Sequence, residues 1–275
     1  MAKATKQQYA GIVKMYNSLI GSHQLWELWQ DSMTMFALSI SNTVGSRYRD
    51  KRESAYMDIV HKYTKEEMQV FPKILGEIVM QLEQNPEQDL LGDLYMQLDL
   101  GSHWHGQFFT PYNVCSMMAK MQLGQQGYTI DNVKPITVCD CACGGGALLI
   151  AAAHEYRKAI EHTGLNAQHY ICLYAQDLSQ VSAMMCYVQL SLLGFAAKVK
   201  LGDSLMHPLT EEDNGPDIWY TPMWFSDVWT IRRFVEKLDS CKPKNKQKRY
   251  SYHYSERGDC YSLRIAVQRE QKCNC

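Results

Sequence analysis

The chain has no uninterrupted apolar stretch approaching a membrane span, which takes about 20 such residues as a helix. An integral membrane protein is therefore not expected. The first residues, MAKATKQQYAG, carry charge but no apolar core, so no secretory signal is expected there. Charge of either sign is not in excess: 28 Lys and Arg stand against 29 Asp and Glu, and the balance gives no global pointer to nucleic acid. No internal repeat is visible. Ten cysteines are present among 275 residues. Without a signal segment, and in a chain this long, they read as thiols of a reducing cytosol rather than a disulfide scaffold. Metal spacing is missing too. Cys139, Cys141 and Cys143 alternate, as residues on one face of a strand do, whereas zinc ligands stand two or more residues apart. Cys241, Cys260, Cys273 and Cys275 match no zinc pattern, and no metal is expected.

Hydrophobic residues make up 46% of the chain and charged residues 21%, which excludes wholesale disorder. The length suits one large domain, or one domain with a sizeable lobe. Charge is unevenly spread: from Ser226 onward there are twelve Lys and Arg against six Asp and Glu, a net of +6, leaving about −7 for the rest. A basic end on an acidic body suits contact with a polyanion; it equally suits a solvated tail.

Residues 1–100 read as helices only, a helical bundle domain. Leu25, Trp26, Leu28, Trp29, Met33, Phe36 and Ile40 recur near helical spacing. Thr64 and Glu67 form a capping box. The helix it opens carries Pro72, which predicts a kink or break, and Asn85-Pro86 ends it. From residue 135 the pattern changes. KPITVCDCACGGG, HYICLYAQD, AAKVKLGDS and PDIWYTP read as strands. GALLIAAAHEYRKAIEHT and SQVSAMMCYVQLSLLG lie between them at helical spacing. Strands alternating with helices predict a parallel α/β sheet. The predicted division is a helical domain over 1–100, an α/β core over 101–240 and a basic tail over 241–275 with a last strand in CYSLRIAV.

In such sheets, ligands bind beyond the carboxyl ends of the strands, and four sets of residues fall there. Asp140 to Gly146 is a glycine turn between strand and helix, which lets backbone approach a ligand and puts a helix N-terminus beside it. Its spacing is not GxGxxG, and a plain tight turn would look the same. Asp177 ends the second strand and suits a ribose diol; Asp in that place also caps helices. Asp203 ends the third and suits the amine of adenine, or a turn. Tyr220-Thr-Pro-Met-Trp-Phe225 follows the fourth; its aromatics suit stacking on a flat base, or a hydrophobic lid. Upstream lies Gly106-Gln-Phe-Phe-Thr-Pro-Tyr112, with Thr110 a fitting N-cap and Pro111 a fitting first helical residue. His103 and His105 flank Trp104 with no third ligand in view and read as loop or packing residues.

Taken together, GQFFTP, DCACGGGALLI, AQD, GDSL and the Pro-aromatic tip resemble the N-6 adenine DNA methylases, in particular the methylation subunits of type I restriction-modification systems. That family carries Q-[FY]-F-T-P, D-P-A-C-G-S-G-G-L-L, an acid after strand two, G-D, and N-P-P-[YF]. The resemblance covers about residues 100–225. It implies a Rossmann-like methyltransferase core and S-adenosylmethionine as cofactor. Gln107, Phe108, Phe109, Thr110, Pro111, Tyr112, Asp140, Ala142, Cys143, Gly144, Gly145, Gly146 and Ala147 would surround the methionine part. Asp177 would hold the ribose and Asp203 would lie by the adenine amine. Cys141 stands where the family has Pro, and Gly145 where it has Ser or Thr.

The fourth motif departs further. Thr221, Pro222 and Trp224 stand where the family uses Asn or Asp, Pro-Pro and an aromatic to hold a flipped adenine and orient its amine. The resemblance implies N6-adenine methylation of DNA, with DNA and a separate specificity or restriction subunit as partners. The altered motif leaves a second implication open, a weak or inactive homologue that binds cofactor and DNA or a partner in a regulatory or anti-restriction role. Methyl transfer to RNA, protein or a small molecule is a third. The basic run over 242–249, the helical domain or a partner chain would then read DNA.

Overall fold

The computed structural model describes residues 9–45, 47–100, 109–123, 127–240 and 266–268. Over the first hundred the described elements are all helical: α1 (Ala10–Leu19), α2 (Leu25–Thr43), α3 (Arg49–Val60), α4 (Lys65–Met68), α5 (Val70–Gln84) and α6 (Leu90–Gln97). The Thr64 box forms as expected, with the Thr64 hydroxyl and the Glu67 carboxylate each accepting the other's backbone N–H. The break falls at Gln69 rather than at Pro72. Pro72 thereby sits in the first turn of α5, where its missing N–H costs nothing. α5 ends at Asn85, ahead of Pro86.

After α7 (Tyr112–Leu123) the chain alternates: β1 (Ile136–Asp140), α8 (Ala147–Ile160), β2 (Ile171–Asp177), α9 (Gln180–Leu192) and β3 (Ala196–Leu201). β1, β2 and β3 pair in parallel, Asp140 level with Ala175 and Asp177 level with Leu201. Val138, Leu173, Ala175, Ala197 and Val199 are buried in one core that also takes in Leu28, Met33, Ile74 and Leu94. The helical region and the α/β core thus share a single buried interior. α2 packs on α9 and α3 on α2.

Two strands correct the expected all-parallel sheet. β4 (Ile218–Tyr220) lies antiparallel beside β3, with Ile218 opposite Lys200 and Tyr220 opposite Lys198. β5 (Ala266–Gln268) lies antiparallel beside β1, so the order is β4-β3-β2-β1-β5. β5 falls at the end of CYSLRIAV; the rest of that segment, the basic run over 242–249 and Cys241, Cys260, Cys273 and Cys275 lie outside the described residues. Residues 202–217 contain no helix, and without a crossover helix a hairpin-like return is the ready connection.

That return is fastened to the sheet face opposite the main core. Lys198, 1% exposed, donates from Nζ to the carbonyls of Thr210 (2.8 Å) and Glu211 (3.0 Å). Lys200 Nζ meets Asp213 Oδ2 at 2.7 Å. The Gln176 amide donates to His207 O and accepts from Leu209 N–H. Arg52 of α3 closes the sheet edge, its guanidinium 4.0 Å over the Trp219 ring and donating to Ile218 O at 2.7 Å. The cysteine alternation also resolves differently. Only Cys139 belongs to β1, while Cys141 is exposed in the turn and Cys143 is buried. α10 (Asp227–Ser240) follows a short 3-10 turn over Pro222–Phe225. Among the described residues no helix is long and apolar enough to cross a membrane.

His154 gives this fold a defined acid sensitivity. It is 2% exposed on α8 with its ring 5.6 Å from Phe195. Burial, then the Arg157 charge, push its pKa from 6.5 down to about 4. Between those values the unfolded chain takes up a proton that the native one refuses, so stability falls as pH drops through that window. The expected loss is about 3 kcal/mol by the lower end. Urea unfolding of the wild type and of His154→Phe across that range checks this: the variant should show a correspondingly shallower decline.

Candidate cofactor site at the strand ends

The site is built at the carboxyl ends of β1, β2 and β3. After Asp140 the chain turns through Gly144 and Gly146, whose φ values are +51° and +94°, a region that penalises any Cβ. At Gly144 a Cβ would also meet the Phe109 ring at 3.0 Å. Outside groups fix the turn. Gly144 N–H donates to Asp177 Oδ2 at 2.8 Å, and Cys143 N–H to Gln176 O at 3.0 Å. α8 begins directly after Gly146 with no side-chain cap, so its first N–H groups and the positive end of its dipole face the turn.

Asp140 is 7% exposed and accepts from Ala142 N–H through Oδ1. Burial raises its pKa, opposed by that N–H and aided by the charge of Asp177. Asp177 is not the cap of α9. Ser179 takes that position, and Asp177 Oδ1 accepts Ser179 N–H at 2.8 Å from two residues before. Asp203 accepts from Leu205 and Met206 N–H, both through Oδ1, which is the turn geometry. Around these acids stand three exposed apolar side chains that sequence reasoning passed over: Leu178 (73%), Leu205 (80%) and Met206 (72%). Large apolar groups left in water beside strand-end carboxylates were visible in the sequence as AQDL and GDSLM.

Phe109 reaches the turn, edge-on to Tyr95 at 5.1 Å. Gln107 and Phe108, like His103, Trp104 and His105, lie outside the described residues. Thr110 and Pro111 are exposed. α7 starts at Tyr112, one residue later than expected, and the Pro111 carbonyl accepts the first helical bonds from Val114 and Cys115. Burial, then the Glu87 charge, raise the Tyr112 pKa. Cys143, hydrogen-bonded to the Cys186 thiol and buried, is held well above the usual thiol range, which makes it inert as a nucleophile. Asp89 and Gln189 also touch the turn and escaped the sequence reading. Among the described residues no group of three or more His, Cys, Asp or Glu is placed to hold a metal.

The fourth set is not brought here. Because β4 runs antiparallel, its carboxyl end lies at the amino ends of β2 and β3. Thr221 N–H and hydroxyl engage Ala197 and Phe195, about 13 Å along β3 from Leu201, four residues at roughly 3.3 Å each. Thr221 is 0% exposed. Its Oγ1 donates to Phe195 O at 2.7 Å and accepts Ala197 N–H at 2.8 Å. Trp224 packs with Cys172, Ala196 and Trp229 under the Arg233 guanidinium, 4.3 Å from its ring. Pro222 opens the 3-10 turn between them. Thr221, Pro222 and Trp224 therefore do not form a base-holding tip beside the glycine turn; they close the opposite end of the sheet.

The family model for N-6 DNA methylases matches residues 86–257. The chain belongs to that family. This methylase core starts its match upstream of residue 101, within the helical region, so α6 is part of it. Family membership implies a methyl donor as cofactor. Among solved structures the N-6 methylase chain is similar to the methyltransferase subunit of a type I restriction-modification system from Streptococcus thermophilus. Identity is 13% and the TM-score 0.38, over 78% of this chain and 61% of that one. No curated protein sequence matches the chain.

Two substitutions test the geometry. Gly144→Ala should cost about 1–3 kcal/mol of stability through its positive φ and the Phe109 contact. Thr221→Val should cost a similar amount, since it leaves the buried Ala197 N–H and Phe195 carbonyl short of a partner. Denaturant unfolding measures both. A Thr221→Val protein as stable as wild type would contradict the structural role given to that hydroxyl.

Proposed function

We propose that the chain binds S-adenosylmethionine at the carboxyl ends of β1–β3 and methylates the N6 amine of adenine in DNA as part of a restriction-modification system. One observation carries this reading: the glycine turn with its uncapped helix, Asp177 and Asp203 converge at one end of three parallel strands. The N-terminus of α8 would receive the methionine carboxylate. Each Asp177 oxygen accepts one backbone bond and retains a lone pair for a ribose hydroxyl. Asp203, with both backbone bonds on Oδ1, leaves Oδ2 for the adenine amine of the cofactor. Leu178, Leu205 and Met206 would give the flat ring apolar cover. The bound cofactor supplies an electrophilic methyl group, and the chain's part is to bind and orient it. DNA and a specificity or restriction subunit are the proposed partners, in the cytoplasm.

A second reading is favoured by the burial of Thr221 and Trp224 at the far end of the sheet: a homologue that binds cofactor and DNA or a partner subunit without turnover. Tritium transfer from labelled S-adenosylmethionine to unmethylated DNA decides between the two. Incorporation that is lost in Asp177→Ala supports the enzyme, and cofactor binding without incorporation supports the second reading. Asp177→Ala should weaken the cofactor by about 1.5–3 kcal/mol, as charge-assisted bonds are lost, read by calorimetry. Thr221→Asn should not raise the rate, because position 221 is buried away from the cofactor end. DNA affinity should fall with salt through counterion release. A slope unchanged by charge reversal of Lys242, Lys244, Lys246, Lys248 and Arg249 would remove that run as the contact.

A further inference from the structure

We propose that Asp89 and Gln189 are positioning residues that set the glycine turn for the methionine half of the cofactor and couple the amino-terminal helices to it. The proposal rests on the S-adenosylmethionine reading above. Gln189 lies on α9 and is 0% exposed. Its Nε2 donates to Gly145 O and to Asp89 Oδ1, both at 2.8 Å, and its Oε1 accepts Leu91 N–H at 3.1 Å. Two donors meet two acceptors and the acceptor meets a donor, so the amide admits one orientation only. Asp89 is 2% exposed and caps α6 through Oδ1, which accepts Gly92 N–H at 3.0 Å. Its other oxygen lies 2.0 Å from where a Cβ on residue 92 would stand, so only glycine leaves the carboxylate its seat.

The reason to assign a role beyond packing is the turn itself. Gly144, Gly145 and Gly146 have no side chains with which to hold their own conformation, and glycine has the most conformational freedom to lose. Asp177 pins Gly144 through its N–H and Gln189 pins Gly145 through its carbonyl. With Gln189 gone, the turn ahead of α8 must be ordered by the ligand, which lowers affinity for whatever that helix N-terminus receives. The ribose and adenine contacts, at Asp177 and Asp203, are not attached to Gln189 and should not feel its loss.

Calorimetry on the full chain therefore uses two probes, S-adenosylmethionine and methylthioadenosine, which lacks the amino-acid part. Gln189→Met should weaken the first by about tenfold or more, as a buried hydrogen-bond set is lost, and the second by less than about twofold. Asp89→Asn, which keeps an acceptor for Gly92 and Gln189, should bind nearly as wild type, whereas Asp89→Ala should behave as Gln189→Met. Equal weakening of both probes would mean a merely structural role and overturn the proposal. Unchanged binding of both by the variant would overturn it while leaving the cofactor site standing. No binding of either probe by the wild type would instead bring down the site reading, and the proposal with it. Should Gln189→Met not fold, hydrogen exchange on the wild type decides: cofactor should slow exchange at Leu91 and Gly92, and unchanged exchange there overturns the coupling.

Discussion

A single carboxylate holds the strand ends together. Asp177 accepts Gly144 N–H through one oxygen and Ser179 N–H through the other, and its own carbonyl accepts Gly202 N–H at 2.9 Å. One residue thereby joins the turn after β1, the start of α9 and the exit of β3. Acceptors are what the place requires, because backbone N–H groups converge on it from both sides. A carboxylate supplies two oxygens with about four lone-pair sites and charge-assisted bonds, whereas an amide would offer one oxygen and bring unwanted donors. The glycine turn can be this open only because its conformation is imposed from Asp177 and Gln189.

The two ends of the sheet consequently do different work. At the carboxyl end stand strand-end carboxylates and the uncapped start of α8, with exposed apolar side chains beside them. At the amino end, Trp224, Trp229, Cys172 and Ala196 make a small closed cluster, sealed by the Thr221 hydroxyl and by Arg233, which donates to Trp224 O at 2.6 Å. The reversal of β4 creates this division. It is stabilised by an unusual device, two nearly buried lysines on one strand face that draw the connecting loop down. Burial lowers the Lys198 pKa, offset by Asp213 and the glutamates of the same loop. The loop's acids thus serve to keep the lysine charge tolerable inside.

Much of this was legible in the sequence, and what was not has identifiable causes. Apolar spacing located the helices, and the alternation after residue 135 located β1–β3, because those signals depend on local burial alone. Asp177 and the glycine turn were legible for the same reason: strand-to-helix junctions in a parallel sheet have few solutions. The direction of β4, antiparallel to β3, is not legible in its residues. A β-prone run looks the same in either direction, and the deciding clue was negative, the lack of helical spacing between Leu201 and Ile218. The place of Thr221 depends on that direction, since a Thr-Pro-aromatic string after a strand falls at the glycine turn if the strand is parallel and beside Ala197 if it is antiparallel. Asp89 and Gln189 were not legible as partners. They are a hundred residues apart, and each alone reads as an ordinary cap or helix residue.

The groups that hold the glycine turn and those that hold the 221–224 segment belong to opposite ends of the sheet. Gly144 is held from the end of β2 and Gly145 from α9, with Asp89 at the start of α6 behind Gln189. On its side away from β2, β1 is bordered by the three-residue β5 alone among the described residues. The loops after Asp140, Asp177 and Leu201 and the Phe109 ring share the carboxyl end, which the Thr221 turn does not reach. Residues 221–224 follow the packing of the amino end, Trp224 against Cys172, Ala196 and Trp229 and Thr221 against Phe195. The glycine turn and the 221–224 segment thus answer to different constraints within one chain.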